Sequence, residues 1–294
     1  MPASPTDPSP VDALPRPLAI VAHDAGAANI IASWCAGASA PPDYICAEGP
    51  AGAIFARIGG NETRTTMTEA VEKAASIITG TGWASDLEHS ARLLAAEHGK
   101  PTIAVIDHWV NYEARFNRNG ETVLPDTMVV GDTIAQTMAQ QLFPQTRVEE
   151  WPNTYLETQV AACGPVPEDG DTLFVAEPAR SDWGRGEQGE FQALDWFART
   201  AGKTGLTARL RPHPSDPAGK YDAWLAHHAG WSLDTSPDLA AAMRPARHVV
   251  GLNSMAMVVA LEAGREVTCA IPPWGPECVL PHGGIARLAT GDLT

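Results

Sequence analysis

Short apolar runs alternate with helical periodicity along most of this 294-residue chain. Residues 18–22 form a continuous apolar run, the pattern of a strand buried on both faces. Further runs predict strands at 44–47, 75–79, 102–106 and 127–130. After a break they resume at 172–176, 206–210, 248–250 and 267–271. Helical spacing between the runs predicts helices at 27–35, 51–58, 68–74, 85–98 and 133–143, then at 189–200, 218–226, 238–243 and 254–263. The 85–98 segment shares one face through Leu87, Ala91, Leu94 and Ala95. It opens with Ser85 as N-cap and Glu88 in the capping-box position, and stops at Gly99.

Repeated strand–helix units predict an α/β protein with parallel sheets covered on both faces. Because the alternation occurs twice, the expected architecture is two Rossmann-like domains facing a cleft. Residues 1–17 hold six prolines and read as a disordered leader. The first domain is expected over 18–150, a linker or crossover over 151–171 with a helical candidate at 155–162, and the second domain over 172–294.

A formal net charge of −15 excludes a broad nucleic-acid footprint, though not a local basic pocket. Among the five cysteines no C-x-x-C pair occurs, so neither a disulfide framework nor a zinc site is expected. Cys35 and Cys269 lie in apolar surroundings and read as core. No apolar run approaches the ~20 residues of a membrane span. The expectation is a cytoplasmic protein, with peripheral membrane contact left open.

Ligands of open parallel sheets bind beyond the carboxyl ends of the strands, and the polar clusters fall there. His23-Asp24-Ala25-Gly26 follows the first strand. Asp24 is a candidate general base, with His23 and Gly26 beside the substrate, or else a simple helix cap. Gly80-Thr81-Gly82-Trp83 reads mainly as a flexible turn. Asp107-His108-Trp109-Val110-Asn111-Tyr112-Glu113-Ala114-Arg115-Phe116 mixes acid, histidine, amide, arginine and aromatics as sugar sites do. Its Asp107 and His108 are alternative bases, and Trp109, Asn111, Tyr112 and Arg115 are substrate candidates.

In the second half, Glu177 opens a glycine-containing loop that suits a nucleotide pocket or an ordinary mobile loop. Arg209, Arg211, His213 and Pro214 leave one strand, and Asn253-Ser254 open a helix after the next. Arginine forks and a helix N-terminus both favour a phosphate. Glu262 is a candidate ribose contact and 272–276 a wall for a base. His227-His228 reads as solvated. No His/Cys/Asp/Glu spacing indicates a metal.

These residues resemble a GT-B type bacterial glycosyltransferase. His213-Pro214 is similar to the His-Pro motif of transferases that use CMP-activated acidic sugars of the sialic acid, nonulosonic acid and Kdo classes. Asn253-Ser254 is similar to their Ser/Thr motif. The resemblance covers roughly residues 170–290. It implies that His213 and Ser254 meet the nucleotide phosphate, with His213 aiding departure of CMP. The family's first-domain base motif, two acids and a glycine, is matched by Asp24-Ala25-Gly26 with one acid. The implied function is transfer of an acidic sugar from a CMP-sugar to a surface-polysaccharide, other glycan or protein acceptor, without metal or other cofactor. The base is Asp24, Asp107 or His108, and the donor carboxylate is held by Arg209 or Arg115. Two rivals share the architecture: a UDP-sugar transferase or 2-epimerase, and a non-catalytic sugar-nucleotide-binding protein.

Overall fold

A computed structural model describes residues 8–58, 63–204 and 207–288. Residues 1–7 of the expected leader and 289–294 of the expected second domain lie outside the described residues. The chain divides into two compact units, Met1–Glu157 and Thr158–Thr294.

Unit 1 runs β1 (Leu18–Ala22), α1 (Ala25–Ala36), β2 (Tyr44–Ala47), α2 (Gly49–Phe55), β3 (Thr63–Arg64), α3 (Met67–Lys73), β4 (Ser76–Thr79), α4 (Leu87–Glu97) and β5 (Thr102–Val105). It continues with α5 (Tyr112–Phe116), the hairpin β6 (Asn117–Arg118) and β7 (Glu121–Thr122), β8 (Thr127–Val130), α6 (Thr133–Leu142) and β9 (Arg147–Glu150). Helix α7 (Thr154–Cys163) carries the chain across the unit boundary. Seven strands form one sheet in the order β3-β2-β1-β4-β5-β8-β9, every pair parallel.

β1 shows why a continuous apolar run is needed at the centre of such a sheet. Leu18, Ile20 and Ala22 pack on one face with Ile30, Ile31 and Trp34 of α1 and Phe55 of α2. Ala19 and Val21 pack on the other with Ala70 and Val71 of α3 and Ala91 and Ala95 of α4. Strand side chains alternate between faces, so both must be apolar when helices cover both. Each fully buried Leu or Ile contributes roughly 1.5–3 kcal/mol.

Unit 2 holds β10 (Asp171–Val175), α8 (Gly189–Thr204), β11 (Ala208–Arg211), α9 (Asp222–Ala226), β12 (Trp231–Leu233) and α10 (Leu239–Met243). Then come β13 (Ala246–Gly251), α11 (Met255–Glu262), β14 (Glu266–Cys269) and β15 (Ile285–Arg287). Its parallel sheet has the order β12-β11-β10-β13-β14-β15. In each unit the chain winds outward on one side of its first strand and then on the other. The reversals fall between β1 and β4 and between β10 and β13, and such switch points open crevices at the strands' carboxyl ends.

Four edge strands, β3, β9, β12 and β15, have no counterpart in the apolar pattern. Thr63 and Arg64 are both exposed, and β9 reads Arg-Val-Glu-Glu. An edge strand pairs on one side only, so its sequence need not be apolar. Part of the expected leader is ordered. Pro10–Ala13 is a 3-10 helix with Val11 buried, and Ser9 Oγ donates to Trp34 O at 2.7 Å. The expected capping box at Ser85 does not form: α4 starts at Leu87 with Asp86 in the cap position, and Glu88 turns into the core.

Candidate functional site

The loops after β1, β4 and β5 meet at the switch point of unit 1. His23 Nδ1 lies 2.7 Å from Asp24 Oδ1. Asp24 stands in the N-cap position of α1 yet makes no side-chain cap bond, so the capping role is not the one it fills. A carboxylate oxygen accepts, so His23 Nδ1 carries the hydrogen and Nε2 is left as the basic nitrogen. Nε2 faces Gly49, which has φ +51° and where a Cβ would sit 2.6 Å from the nitrogen. Asp24 Oδ2 lies against Gly82, where a Cβ would be 2.0 Å away. Glycine is required at both places by close approach.

Asp107 follows β5. Its Oδ1 accepts from Arg115 Nη1 at 2.7 Å, and its Oδ2 lies where a Cβ on Gly26 would intrude at 1.6 Å. Arg115 is 2% exposed and also donates to Thr81 Oγ1 at 2.9 Å, while Thr81 gives its hydroxyl to Val105 O. The guanidinium lies 5.0 Å from the ring centre of Trp83, which is 50% exposed.

Two buried charges of α4 support the loops. Arg92 Nη1 donates to Thr79 Oγ1 at 3.2 Å and to Gly80 O at 3.1 Å, and Nη2 donates to Arg115 O at 3.2 Å. Glu88 accepts from His23 N at 2.9 Å and from Gly82 N at 2.6 Å, tying the β1 loop to the β4 loop. Burial raises the Glu88 carboxyl to about 7; Asp24 adds to the rise, while the two N–H groups and Arg92 oppose it. A raised carboxyl holds its proton better in the folded protein, so its contribution declines as pH rises from about 4.5 to about 7 and is level outside that window. At 1.36 kcal/mol per unit this amounts to about 3 kcal/mol. The stability gap between wild type and Glu88→Gln should therefore narrow by about that much between pH 4.5 and pH 7.5, read by urea unfolding at each pH. A constant gap would show that Glu88 titrates normally.

Several expected substrate contacts turn inward. Trp109 and Tyr112 are buried; Trp109 Nε1 donates to Asp132 Oδ2 at 2.9 Å and the Tyr112 hydroxyl to Ala135 O at 3.4 Å. They anchor α5 to the start of α6 and offer no face to a sugar. Arg115 is spent on Asp107 and Thr81 and cannot also hold a donor carboxylate. His108 and Asn111 stay near the surface, His108 Nδ1 accepting from Trp109 N at 3.0 Å and Asn111 taking φ +58°.

In unit 2 the expected arginine fork is a structural staple. Arg209 sends Nε and Nη2 to Asp171 at 2.6 and 2.9 Å, Nη1 to Asp234 at 2.5 Å and Nη2 also to Ala242 O at 2.7 Å. Arg211 Nη1 takes the other Asp234 oxygen at 2.6 Å. Their charges are met within the protein, and Arg209 has no fork left for a phosphate.

The histidine and serine loops keep a binding character. His213 N donates to Asp216 Oδ2 at 2.9 Å, and Nδ1 accepts from Ser215 N at 3.2 Å, which leaves Nε2 as the N–H of the neutral ring. Burial holds His213 below its ordinary value, Lys220 and Arg180 adding to the effect against Asp216. Pro214 stiffens this turn. Across the β10–β13 switch point, Asn253 N donates to Glu177 Oε2 at 2.7 Å and Asn253 Oδ1 accepts from Val279 N at 2.8 Å. Burial raises the Glu177 carboxyl above its usual range. Ser254 stands at the N-cap of α11 without capping it, and its Oγ is buried with no hydrogen-bond partner. A buried unsatisfied hydroxyl at a helix N-terminus is what an anion-binding turn looks like. Arg180, on the loop after β10, is exposed, and among the described residues it enters no ion pair. No His/Cys/Asp/Glu group among the described residues is arranged to hold a metal ion.

In the sequence Glu88 reads only as a capping residue, Trp83 only as part of a turn and Arg180 only as part of the Glu177 loop, and Arg92 does not stand out at all. Only Trp83 carried a signal, an aromatic beside two glycines at a strand end. No protein-family model and no curated protein sequence matches the chain. Solved structures do. A Listeria monocytogenes protein named for UDP-N-acetylglucosamine 2-epimerase activity matches with a TM-score of 0.54 at 14% identity, over 86% of this chain and 78% of that one. The glycotransferase of kitacinnamycin matches with a TM-score of 0.56 at 13% identity, over 95% of this chain and 89% of that one. The fold is of the GT-B type. This chain carries it as two Rossmann-like parallel-sheet units.

Proposed function

We propose that this GT-B type protein is an enzyme acting on a nucleotide sugar, and that it transfers the sugar to a hydroxyl acceptor. The observation that carries the reading is the His23–Asp24 pair, 2.7 Å apart at the unit 1 switch point. In this reading Asp24 orients the ring and stabilises it when protonated, and His23 Nε2 takes the proton of the acceptor hydroxyl as that oxygen attacks the anomeric carbon. The base is then His23, with Asp24 positioning it. Unit 2 has the groups to hold the nucleotide: Ser254 Oγ, the N–H groups opening α11 and Arg180 for the phosphate, and the neutral His213 ring with its Nε2–H as a donor to a phosphate oxygen. Glu177 keeps the Asn253 turn in place.

The acidic sugar of a CMP donor needs a cation for its carboxylate. Arg209 and Arg115, the two residues suggested for that task, are both tied to internal acids. A UDP-sugar donor fits the site equally well. A second reading, a UDP-sugar 2-epimerase, is favoured by the three carboxyl groups of Asp24, Glu88 and Asp107 around one loop cluster. Incubation with UDP-N-acetylglucosamine and no acceptor separates the two readings. A 2-epimerised sugar in the product contradicts the transferase, while turnover that requires an added hydroxyl acceptor supports it.

Trp83 is half exposed on the β4 loop, next in sequence to the Gly82 that lies against Asp24, and its ring suits the flat face of an acceptor ring. Trp83→Ala should raise the acceptor KM by roughly tenfold, on the usual scale of about 1–1.5 kcal/mol for an aromatic contact, and leave nucleotide affinity unchanged. Steady-state kinetics with the acceptor varied checks this, and an unchanged KM would remove Trp83 from the acceptor site.

A further inference from the structure

Cys269 ends β14 and is buried; Cys278 lies on the loop that follows and is partly exposed. Their sulfurs lie 3.3 and 3.9 Å from one carbonyl oxygen, that of Leu252, and the two thiols hydrogen-bond to each other. The loop between them returns to the same place, since Val279 N donates to Asn253 Oδ1 and Arg287 Nη2 to Cys278 O at 3.2 Å. The remaining cysteines, Cys35, Cys46 and Cys163, are buried.

We propose that Cys278 and Cys269 are a peroxide-reactive pair that closes into a reversible disulfide beside the Asn253–Ser254 turn. Cys278 is the attacking thiol because it is the one solvent reaches. The hydrogen bond from Cys269, with that of Leu280 N–H and the charge of Arg287, lowers Cys278 below the ordinary thiol range, which favours its reactive thiolate. Cys269 moves the other way, its thiol raised by the same hydrogen bond and by burial, which suits a resolving thiol that surrenders its proton only during exchange.

The chemistry balances with hydrogen peroxide as oxidant. The Cys278 thiolate sulfur attacks one peroxide oxygen, an S–O bond forms, the O–O bond breaks, and the departing hydroxide takes from solvent the proton that the thiol released on ionising and leaves as water. Cys278 is now a sulfenic acid. The Cys269 sulfur attacks it, the S–S bond forms, the S–O bond breaks, and the second hydroxide leaves as water with the Cys269 proton. Two thiols are oxidised and one peroxide is reduced to two waters.

Oxidation removes both sulfur contacts from the Leu252 carbonyl, which immediately precedes Asn253 and Ser254. The disulfide therefore acts on the turn that orients the α11 N-terminus.

The test uses the full chain treated with hydrogen peroxide, digested without reductant and mapped by mass spectrometry. The expected result is a linkage of Cys269 to Cys278 that dithiothreitol reverses, with Cys35, Cys46 and Cys163 still free. Cys269→Ser should instead trap the Cys278 sulfenic acid as a dimedone adduct. In the untreated protein at pH 7, iodoacetamide should label Cys278 at least tenfold faster than any other cysteine. Absence of the linkage in wild type, or labelling of Cys278 no faster than the buried thiols, overturns the proposal. None of these readouts depends on turnover, so they stand or fall separately from the enzymatic reading.

Discussion

His23→Ala should lower turnover by roughly 100-fold to 10,000-fold while nucleotide affinity stays within about twofold of wild type, the usual range for loss of a general base. The argument rests on one nitrogen. Nδ1 is committed to Asp24 at 2.7 Å, and Nε2 lies against Gly49, where only a residue without a Cβ leaves it room. Asp24→Asn keeps the ring but replaces the carboxylate that fixes it, so turnover should fall by roughly 100-fold or less. Gly49→Ala places a methyl against the basic nitrogen and strains a residue at φ +51°, so it should also lose turnover. The check is transfer kinetics with nucleotide binding measured in parallel. Full turnover in His23→Ala would remove the pair from the mechanism and leave Asp107 as the next base.

Arg92→Met should destabilise unit 1 by about 3–5 kcal/mol, the range for breaking a buried charge interaction. Arg92 is 1% exposed, and its guanidinium serves Thr79 Oγ1 and Gly80 O at the end of β4 and Arg115 O of α5, two segments of the site. Methionine fills the space of the stem but satisfies none of these acceptors. The loss also strips Glu88 of the cation that opposes its raised pKa, so Glu88 should hold its proton to still higher pH. Arg247→Met is the control: its pair with Glu266 is largely exposed and should be worth well under 1 kcal/mol. Urea unfolding of the three proteins measures both effects. Equal midpoints for wild type and Arg92→Met would mean that the β4 loop stands without its buried guanidinium.

How much of this was legible in the chain depended on whether partners were near in sequence. β1, with all five residues buried, announced itself as an apolar run, and the repeat of such runs gave two parallel sheets. β9 and β3 did not, because an edge strand can be polar. The pairing of His23 with Asp24 was written in adjacent positions, although only the structure shows that Asp24 declines the helix cap in its favour. Arg209 and Arg211 looked like a phosphate fork because Asp171 and Asp234, which neutralise them, lie 38 and 25 positions from Arg209. The 107–116 segment looked like an exposed sugar loop, but a short helix turns Trp109 and Tyr112 into the core. Glu88 read as a capping acid and Arg92 drew no notice, for the converse reason. Charged residues on a helix read as a solvated face, and here that face is buried against the strand ends.

In the proposed reading unit 2 is a nucleotide-sugar site with the phosphate on the Ser254 turn. Calorimetric titration of the protein with UDP, CMP, CDP, GDP and ADP, repeated on Ser254→Val and His213→Ala, tests it most directly. The account predicts one-to-one binding of a preferred nucleotide, weakened roughly 10-fold or more in Ser254→Val, as expected for a hydrogen bond to a charged group worth about 1.5–3 kcal/mol. His213→Ala should weaken it as well. UDP preference selects a UDP-sugar donor and CMP preference a CMP-sugar donor. Binding of no nucleotide, or binding that both variants leave untouched, contradicts the account.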